Sequence, residues 1–170
     1  MSVAKINTRE LRSAFGCFAT GVTVVTALDS KGGAVGITAN SFSSLSLDPP
    51  LVLWSIDKRS TTFPVFEVSP HFVVSVLSAE GAQIASRFAM KGGHEIQVEN
   101  AVSTTLGPPT FLDSLAVFEC DVYARHEGGD HIIMVGKVRR FTHLQEGKDS
   151  NAGPLLYFRG RFGNVPPLTE

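Results

Sequence analysis

The chain has 170 residues, which a single domain over residues 1–170 with one hydrophobic core can accommodate. It is 43% hydrophobic and 18% charged, so we expect spare apolar surface for a subunit interface. The formal net charge of −1 provides no global basic field for nucleic acid or acidic membranes. No apolar run reaches the roughly 18 residues of a transmembrane helix, and Met1 to Glu10 lacks the apolar block of a secretory signal.

The cysteines also bear on the class of protein. Cys17 and Cys120 lie far apart in the chain, each in an apolar stretch. This arrangement predicts two buried thiols in a reducing compartment rather than a disulfide framework. We therefore expect a cytoplasmic protein.

The first predicted element is a helix. Asn7 can cap its N-terminus, and apolar residues recur at helical spacing from Leu11 to Phe18. Gly21 is placed to end it. Two more helices are predicted over residues 61–68 and 79–90.

Runs of β-branched and apolar residues predict the strands, which cover residues 22–28, 34–39, 51–56, 71–77, 116–124, 131–141 and 155–158. Turn-forming residues at Asp29 to Gly33 and at Gly128 to Asp130 join two pairs of them as hairpins. Residues 40–50, which end in Asp48-Pro49-Pro50, and residues 91–113 show no steady period and are predicted to be irregular.

These elements predict a mainly β fold with a few helices. About seven strands with hairpin-length connections favour an antiparallel arrangement. There is no regular βαβ alternation and no GxGxxG motif, which argues against a Rossmann fold. An antiparallel barrel with helices packed on it is the predicted architecture.

The most informative polar segment follows the strand at residues 34–39. Small residues there let the backbone approach a planar ligand, and free N–H groups can donate to ring carbonyls or phosphate oxygens. A serine-rich surface loop without a ligand is the alternative explanation. The candidate residues are Thr38, Ala39, Asn40, Ser41, Phe42, Ser43 and Ser44.

Two further segments could hold an anion. Cations and hydroxyls beside a predicted helix start make a phosphate cradle, or alternatively an ordinary N-cap flanked by solvated charges. The candidates there are Lys58, Ser60, Thr61 and Thr62. Ser86, Arg87 and Lys91 form a third candidate at a helix end, where a plain charged terminus is the alternative.

Metal and nucleophile sites are not expected. The histidines show no HxxxH or HExxH spacing, and no CxxC pair occurs. No GxSxG motif or activated cysteine is present.

Taken together, the segments resemble the flavin reductase-like family, the short-chain NAD(P)H:flavin oxidoreductases of two-component monooxygenases. The resemblance extends from about Leu11 to Phe162. It is carried by FATGVTVVTA (18–27), GITANSFSSLSLDPPLV (36–52), STTFPVF (60–66), FVVSVL (72–77), ASRFA (85–89), GDHIIMVGKV (129–138) and PLLYFRGRF (154–162). The order and spacing of these motifs make the resemblance specific.

The resemblance implies a Greek-key split β-barrel of the FMN-binding type, working as a homodimer. It implies that residues 38–44 line the isoalloxazine and ribityl chain of FMN or FAD, and that Ser60 to Thr62, with Ser86, Arg87 and Lys91, hold the phosphate end. His131 of the GDH element would face the nicotinamide of NADH or NADPH as the catalytic residue, with Tyr157 and Arg159 bordering the same pocket. One departure is the run from Met90 to Ile96, where the family often has a lysine-containing polar run that closes on an aromatic residue.

The implied function is hydride transfer from a nicotinamide dinucleotide to a flavin, which then leaves for a partner monooxygenase. A flavoprotein that retains its flavin and reduces another acceptor is one alternative, and a non-enzymatic flavin carrier is another. The GDH and YFRGRF segments favour the reductase, because a carrier has less need of them.

Overall fold

The computed structural model describes residues 6–96, 101–112, 114–144 and 153–165. A few short helices accompany the strands, in the order α1 (Thr8–Phe15), β1 (Thr20–Gly21), β2 (Thr23–Leu28), β3 (Ala34–Ala39), β4 (Ser43–Leu47), β5 (Pro50–Asp57), α2 (Phe63–Val68), β6 (His71–Leu77), a 3-10 turn (Ala79–Gly81), α3 (Ala82–Ala89), β7 (Ser114–Gly128), β8 (His131–His143), β9 (Leu156–Phe158) and β10 (Arg161–Gly163). The predicted mainly β fold is confirmed.

The main sheet is antiparallel and curls upon itself. Its strand order is β3-β2-β6-β7-β8-β5-β4, so the two edge strands, β3 and β4, are consecutive in the chain. Only residues 40–42 join them, and a chain spans at most about 3.5 Å per residue, so the sheet must bring its edges near each other. Ser41 Oγ accepts from the N–H of Ser55 at 2.9 Å and donates to its carbonyl at 3.2 Å. Both edge strands are fully described, and no ladder joins them, as in a barrel that is split.

A second, smaller sheet packs beside the first. Strand β9 lies between β1 and β10, and the sequence missed β10. Arg159 (φ 48°) and Gly160 (φ 80°) form the turn between β9 and β10. Positive φ at both central residues suits a tight hairpin, because its twist matches that of the strands. Sequence patterns did not predict this turn, because arginine is uncommon at a position with positive φ.

Aromatic side chains from three elements fill the curled sheet. The ring of Trp54 meets Phe66 at 5.0 Å and Phe72 at 5.9 Å between centroids, both edge-on. All three side chains are fully buried. A Cβ added at Gly136 would lie 2.4 Å from Phe72 Cζ, so this strand position of β8 has room for glycine alone.

A second core cluster lies under α3, where Phe88 packs against Phe111 with ring centroids 5.4 Å apart. Phe111 belongs to the segment predicted to be irregular. The described residues of that segment form no helix or strand and make only isolated β-bridges. Thr26 Oγ1 of β2 donates to the Pro109 carbonyl at 2.6 Å and anchors this segment to the sheet. Residues 97–100 and 113 lie outside the described residues.

The first helix is shorter than predicted. It ends at Phe15, because the N–H groups of Cys17 and Phe18 bond to carbonyls three residues back, at 3.0 Å each, and the Gly16 carbonyl accepts from the Arg159 N–H at 2.8 Å. The β9–β10 turn thus takes the place of another helical turn. As a consequence Cys17 is exposed, so the prediction of a buried thiol is wrong there, whereas Cys120 is buried as predicted.

Strand β4 is the other correction, since its residues fall in the segment predicted to be irregular. Serines have weak strand propensity, but pairing with β5 supplies the ladder. The predicted helix over 61–68 begins at Phe63, and the helix predicted over 79–90 is a 3-10 turn followed by α3.

Candidate functional site

Two clefts bring together seven of the predicted site residues. The first, of about 290 Å³, opens between the end of β3, the β5–α2 turn and the segment after α3. Its lining residues are Ile37, Thr38, Arg59, Ser60, Thr61, Phe88, Ala89, Lys91 and His94. Thr38, Ser60, Thr61 and Lys91 are therefore brought together from three separate segments of the chain.

The hydroxyl groups at the first cleft differ in their hydrogen-bond partners within the protein and in their exposure. Thr38 Oγ1 donates to the Ala85 carbonyl at 2.7 Å, which ties β3 to α3 and leaves its lone pairs as acceptors. Ser60 and Thr62 hydroxyls bond each other at 2.9 Å, and Thr62 is 2% exposed and lies outside the cleft lining. Thr61 is exposed. Thr62 therefore supports the turn, and Thr61 is the hydroxyl with most freedom to meet a ligand.

Arg59 brings a positive charge to the cleft, and its guanidinium lies close to two carboxylates. Its Nε and Nη2 donate to Asp57 at 3.1 and 2.8 Å, and Nη2 lies 3.9 Å from Asp130 Oδ2. The hydrogen bond from Arg59 holds the pKa of the Asp57 carboxyl well below its usual range, and the same bond raises the pKa of Arg59. The guanidinium is thereby held in one orientation at the cleft.

Lys91 is exposed at the same cleft. Among the described residues no carboxylate lies within ion-pairing distance of its ammonium group. Its charge is therefore available to an incoming anion without competition from these neighbours.

His94 is a cleft residue that the sequence prediction missed. Its Nδ1 lies 3.1 Å from the Gly36 carbonyl, and the Gly36 N–H donates to the His94 carbonyl at 2.8 Å. These two hydrogen bonds hold His94 beside β3, although 58 positions of the chain separate it from Gly36. The run Lys91-Gly92-Gly93-His94 after the ASRFA motif was the available signal, since it departs from the family pattern.

The second cleft is larger, about 630 Å³, and lies between the end of α1 and the β9–β10 turn. It brings Asn40, Tyr157 and Arg159 together with α1 residues that the sequence prediction did not include. The full lining is Arg12, Ser13, Phe15, Gly16, Cys17, Phe18, Asn40, Tyr157, Arg159 and Gly160. Because Thr38 lines the first cleft and Asn40 the second, the end of β3 reaches both.

His131 begins β8 and pairs in register with Asp57 of β5. Its Nδ1 bonds Asp130 Oδ1 at 2.7 Å, and its side chain is 41% exposed. This hydrogen bond lowers the pKa of Asp130. Asp130 in turn approaches Arg59, so His131 is joined to the first cleft through two charged side chains, although it does not line it.

Residues 15–166 match the family described as flavin reductase like domain. The chain belongs to the flavin reductase like domain family. It is 43% identical to FMN reductase (NADH) SmoA of Agrobacterium fabrum, over 92% of this chain and 86% of that protein. It is 35% identical to HsaB of Rhodococcus jostii, the reductase subunit of a flavin-dependent monooxygenase, over 95% of this chain and 80% of the relative.

Solved structures of flavin reductases share the fold. NADH:FAD oxidoreductase SgcE6 of Streptomyces globisporus, in complex with NAD and FAD fragments, superposes with a TM-score of 0.87 at 35% identity, covering 96% of both chains. Some curated relatives are longer, and the chain spans 48% to 64% of their length.

Several residues expected to touch the flavin have other partners. Ser86 Oγ donates to Ala82 O at 2.9 Å, and Arg87 donates to the Glu95 carbonyl at 3.0 Å. Lys58 pairs with Glu127 and donates to the Gly129 carbonyl at 2.9 Å. None of these three lines a cleft described above, so a role in flavin binding stays a prediction for them.

The remaining loop residues build the connection between β3 and β4. Ala39 is buried and its carbonyl accepts from Thr23 Oγ1 at 2.8 Å. Phe42 stacks on Phe118 at 5.7 Å. Ser43 and Ser44 belong to the edge strand β4 and are exposed. They too line neither cleft, and their contact with flavin stays a prediction.

The first cleft fits the phosphate end of a flavin. It presents the cations Arg59 and Lys91, whose charge-assisted hydrogen bonds to phosphate oxygens are strong, and the exposed hydroxyl of Thr61. Among the described residues, no group of three or more His, Cys, Asp or Glu side chains is arranged to hold a metal ion. No helix in the described part of the chain is long and apolar enough to span a bilayer.

Proposed function

We propose that the chain is an NAD(P)H-dependent flavin reductase that transfers a hydride to FMN or FAD and releases the reduced flavin to a monooxygenase. The observation that carries the proposal is the first cleft, whose cations and hydroxyls suit a flavin phosphate in a chain of this family. SmoA, named an NADH-dependent FMN reductase, and HsaB, named a monooxygenase reductase subunit, support the donor and the partner.

The phosphate would bind in the first cleft. Thr61 and Lys91 are exposed there, and Arg59 is oriented by Asp57. Since the end of β3 reaches both clefts, residues 38–44 are placed to follow the ribityl chain and the ring. The exposure of the phosphate ligands favours a flavin that dissociates, because water competes for every contact.

The second cleft would take the nicotinamide dinucleotide. Arg12 and Arg159 line it and can pair with a pyrophosphate, and Tyr157 offers a ring for stacking. His131 would orient the nicotinamide or donate a hydrogen bond to developing charge. Its Nδ1 is held by Asp130, which leaves Nε2 as the reactive nitrogen.

Flavin and nicotinamide supply the redox chemistry, and hydride transfer between them needs no protein nucleophile. The chain's own contribution is to hold two planar rings together in one orientation. Positioning of this kind lowers the reaction barrier, because the reactants have already lost their orientational freedom on binding. The reduction is on the order of 7–11 kcal/mol in the best intramolecular systems.

A homodimer accords with the apolar surface beside the second cleft. Phe158 and Phe162 are 44% and 36% exposed and line a third cleft of about 690 Å³. Phe15 and Phe18, which line the second cleft where α1 ends, are 68% and 77% exposed. Burial of such a patch favours self-association. Sedimentation of the purified protein should give twice the monomer mass, and a monomer at micromolar concentration would refute the dimer.

The free thiols of Cys17 and Cys120 support a reducing, cytoplasmic location. Fractionation of cells that express the native chain would test this location directly. Recovery in the cytoplasmic fraction is expected, and recovery from an oxidising compartment would overturn it.

The activity is tested by mixing the protein with NADH and, in turn, FMN, FAD or riboflavin while following absorbance of the reduced nicotinamide. Oxidation that needs both protein and added flavin is the expected result. Flavin that stays bound through dilution would favour reduction of another acceptor, and tight flavin binding without NADH oxidation would indicate a carrier.

A further inference from the structure

The ring of His94 is held at one nitrogen and has no hydrogen-bond partner among the described residues at the other. His94 lines the first cleft, and its backbone and ring are both held by Gly36 of β3. A carbonyl oxygen only accepts hydrogen bonds, so the Nδ1 that lies 3.1 Å from it must carry a hydrogen. Nε2 is then the free nitrogen of the ring, and no other hydrogen bond to the ring occurs among the described residues.

The protonation of Nε2 decides what it can bind. In the neutral imidazole Nε2 is an acceptor and repels the oxygens of a phosphate. Once it gains a proton it becomes a charged donor. A phosphate at the cleft therefore stabilises the protonated form.

Other charged groups lie near the histidine. Arg59 and Lys91 line the same cleft and would share a bound phosphate with it. Arg87 and Glu95 flank the histidine from α3 and from the next position in the chain, and Asp57 faces Arg59. Strand β3 contributes no titratable side chain. Entry of a phosphate, with about −1.5 to −2 charges, would offset the charges of the two cations.

We propose that His94 is a ligand of the flavin phosphate and takes up a proton as the phosphate binds. This rests on the proposed function, because it assumes that a flavin occupies the first cleft. The preference for FMN over riboflavin, which lacks the phosphate, then increases as the pH falls from 8 to 6. The phosphate itself loses charge in the same range, so the comparison that isolates His94 is between variants at one pH.

The decisive variants are His94→Asn and His94→Gln. Asparagine can keep a donor near the position of Nδ1 and so preserve the bond to Gly36, but it has no counterpart to Nε2. Glutamine reaches the position of Nε2 without gaining a charge. His126→Asn is the matched control, since His126 is exposed on β7.

Dissociation constants for FMN and riboflavin are measured by flavin fluorescence at pH 6, 7 and 8. At pH 6 His94→Asn is expected to weaken FMN binding roughly tenfold, the effect of one hydrogen bond to a charged group. Riboflavin binding should be unchanged, and the FMN effect should shrink towards pH 8. Glutamine should recover only a small part of the loss at pH 6, because its amide donates without carrying a charge. Equal losses for both flavins, or an FMN loss independent of pH, would overturn the proposal.

A measurement on the unaltered protein does not depend on how the variants fold. Long-range ¹H–¹⁵N spectra report whether each imidazole nitrogen carries a proton. At pH 7 FMN should convert the His94 Nε2 signal to the protonated type, and riboflavin should not. A signal that stays unprotonated with FMN bound would refute the assignment. NADH oxidation with riboflavin is followed in parallel: its absence would count against the proposed reductase, whereas the binding ratios judge His94 alone.

Discussion

Replacement of Lys91 by methionine removes the one cleft cation that no carboxylate among the described residues offsets. The methionine keeps most of the length of the side chain, and Lys91 is exposed, so the fold should be unaffected. FMN carries a phosphate and riboflavin does not. The substitution should therefore weaken the binding of FMN alone.

The expected magnitude follows from Coulomb's law. Two unit charges about 4 Å apart interact by about 1 kcal/mol in water and by about 4 kcal/mol at an effective dielectric constant of 20. A phosphate monoester carries about −1.5 to −2 charges at neutral pH. Because Lys91 is exposed, the lower value applies to each charge, and about 1.5–2 kcal/mol corresponds to a 10- to 30-fold increase in Kd.

The assay compares Kd and KM for FMN and riboflavin in the unaltered protein and in Lys91→Met. Lys31→Met, in the exposed β2–β3 turn, removes the same charge at a residue that does not line the cleft and serves as control. Between low ionic strength and 0.5 M salt, FMN binding by the unaltered protein should weaken more than that of the variant, because screening acts on the charge that the variant lacks.

Three results would refute this reasoning. One is an equal loss of FMN and riboflavin, which would point to a change in the shape of the cleft. Another is a similar FMN loss in the Lys31 variant, which would make net charge the cause. The third is unchanged FMN binding in Lys91→Met, which would place the phosphate elsewhere.

Three more predictions concern the mechanism, the core and the thiols. His131→Ala should slow flavin reduction in stopped-flow traces without changing flavin Kd; an unchanged rate would remove this residue from the mechanism. Gly136→Ala places a Cβ 2.4 Å from a buried aromatic ring and should cost about 1–3 kcal/mol of stability, which lowers Tm by roughly 2–4 °C per kcal/mol. Gly163→Ala has open space around it and should leave Tm unchanged. A thiol reagent should label Cys17 in the native protein and label Cys120 only after denaturation, because burial raises the pKa of Cys120 to about 12. Rapid modification of both native thiols would contradict the described core.

Local chemistry accounts for the parts of the fold that sequence patterns predicted well. The hairpin of β2 and β3 follows from runs of β-branched residues on either side of Asp29 to Gly33, whose turn is closed by hydrogen bonds from the N–H groups of Lys31 and Gly33 to the Asp29 side chain. The Gly128 to Asp130 turn does the same for β7 and β8. Such turns depend on neighbouring residues alone and can be read without knowledge of the rest of the chain.

The errors have non-local causes. The end of α1 is set by a hydrogen bond from Arg159, and β4 exists because β5 lies beside it. Neither partner is close enough in the chain to leave a periodic signal. The exposure of Cys17 follows from the first of these contacts.

The sequence by itself determined the antiparallel β class, the positions of most strands and, through its motifs, the family. It also pointed to the segments that reach the first cleft. Only the tertiary structure decided which side chains meet there: Thr61 stands at the cleft while Thr62 turns into the interior, and His94 joins them through Gly36. The physical reason is that periodicity and turn chemistry are properties of adjacent residues, whereas the convergence of distant segments depends on how the sheet curls and where α3 packs upon it.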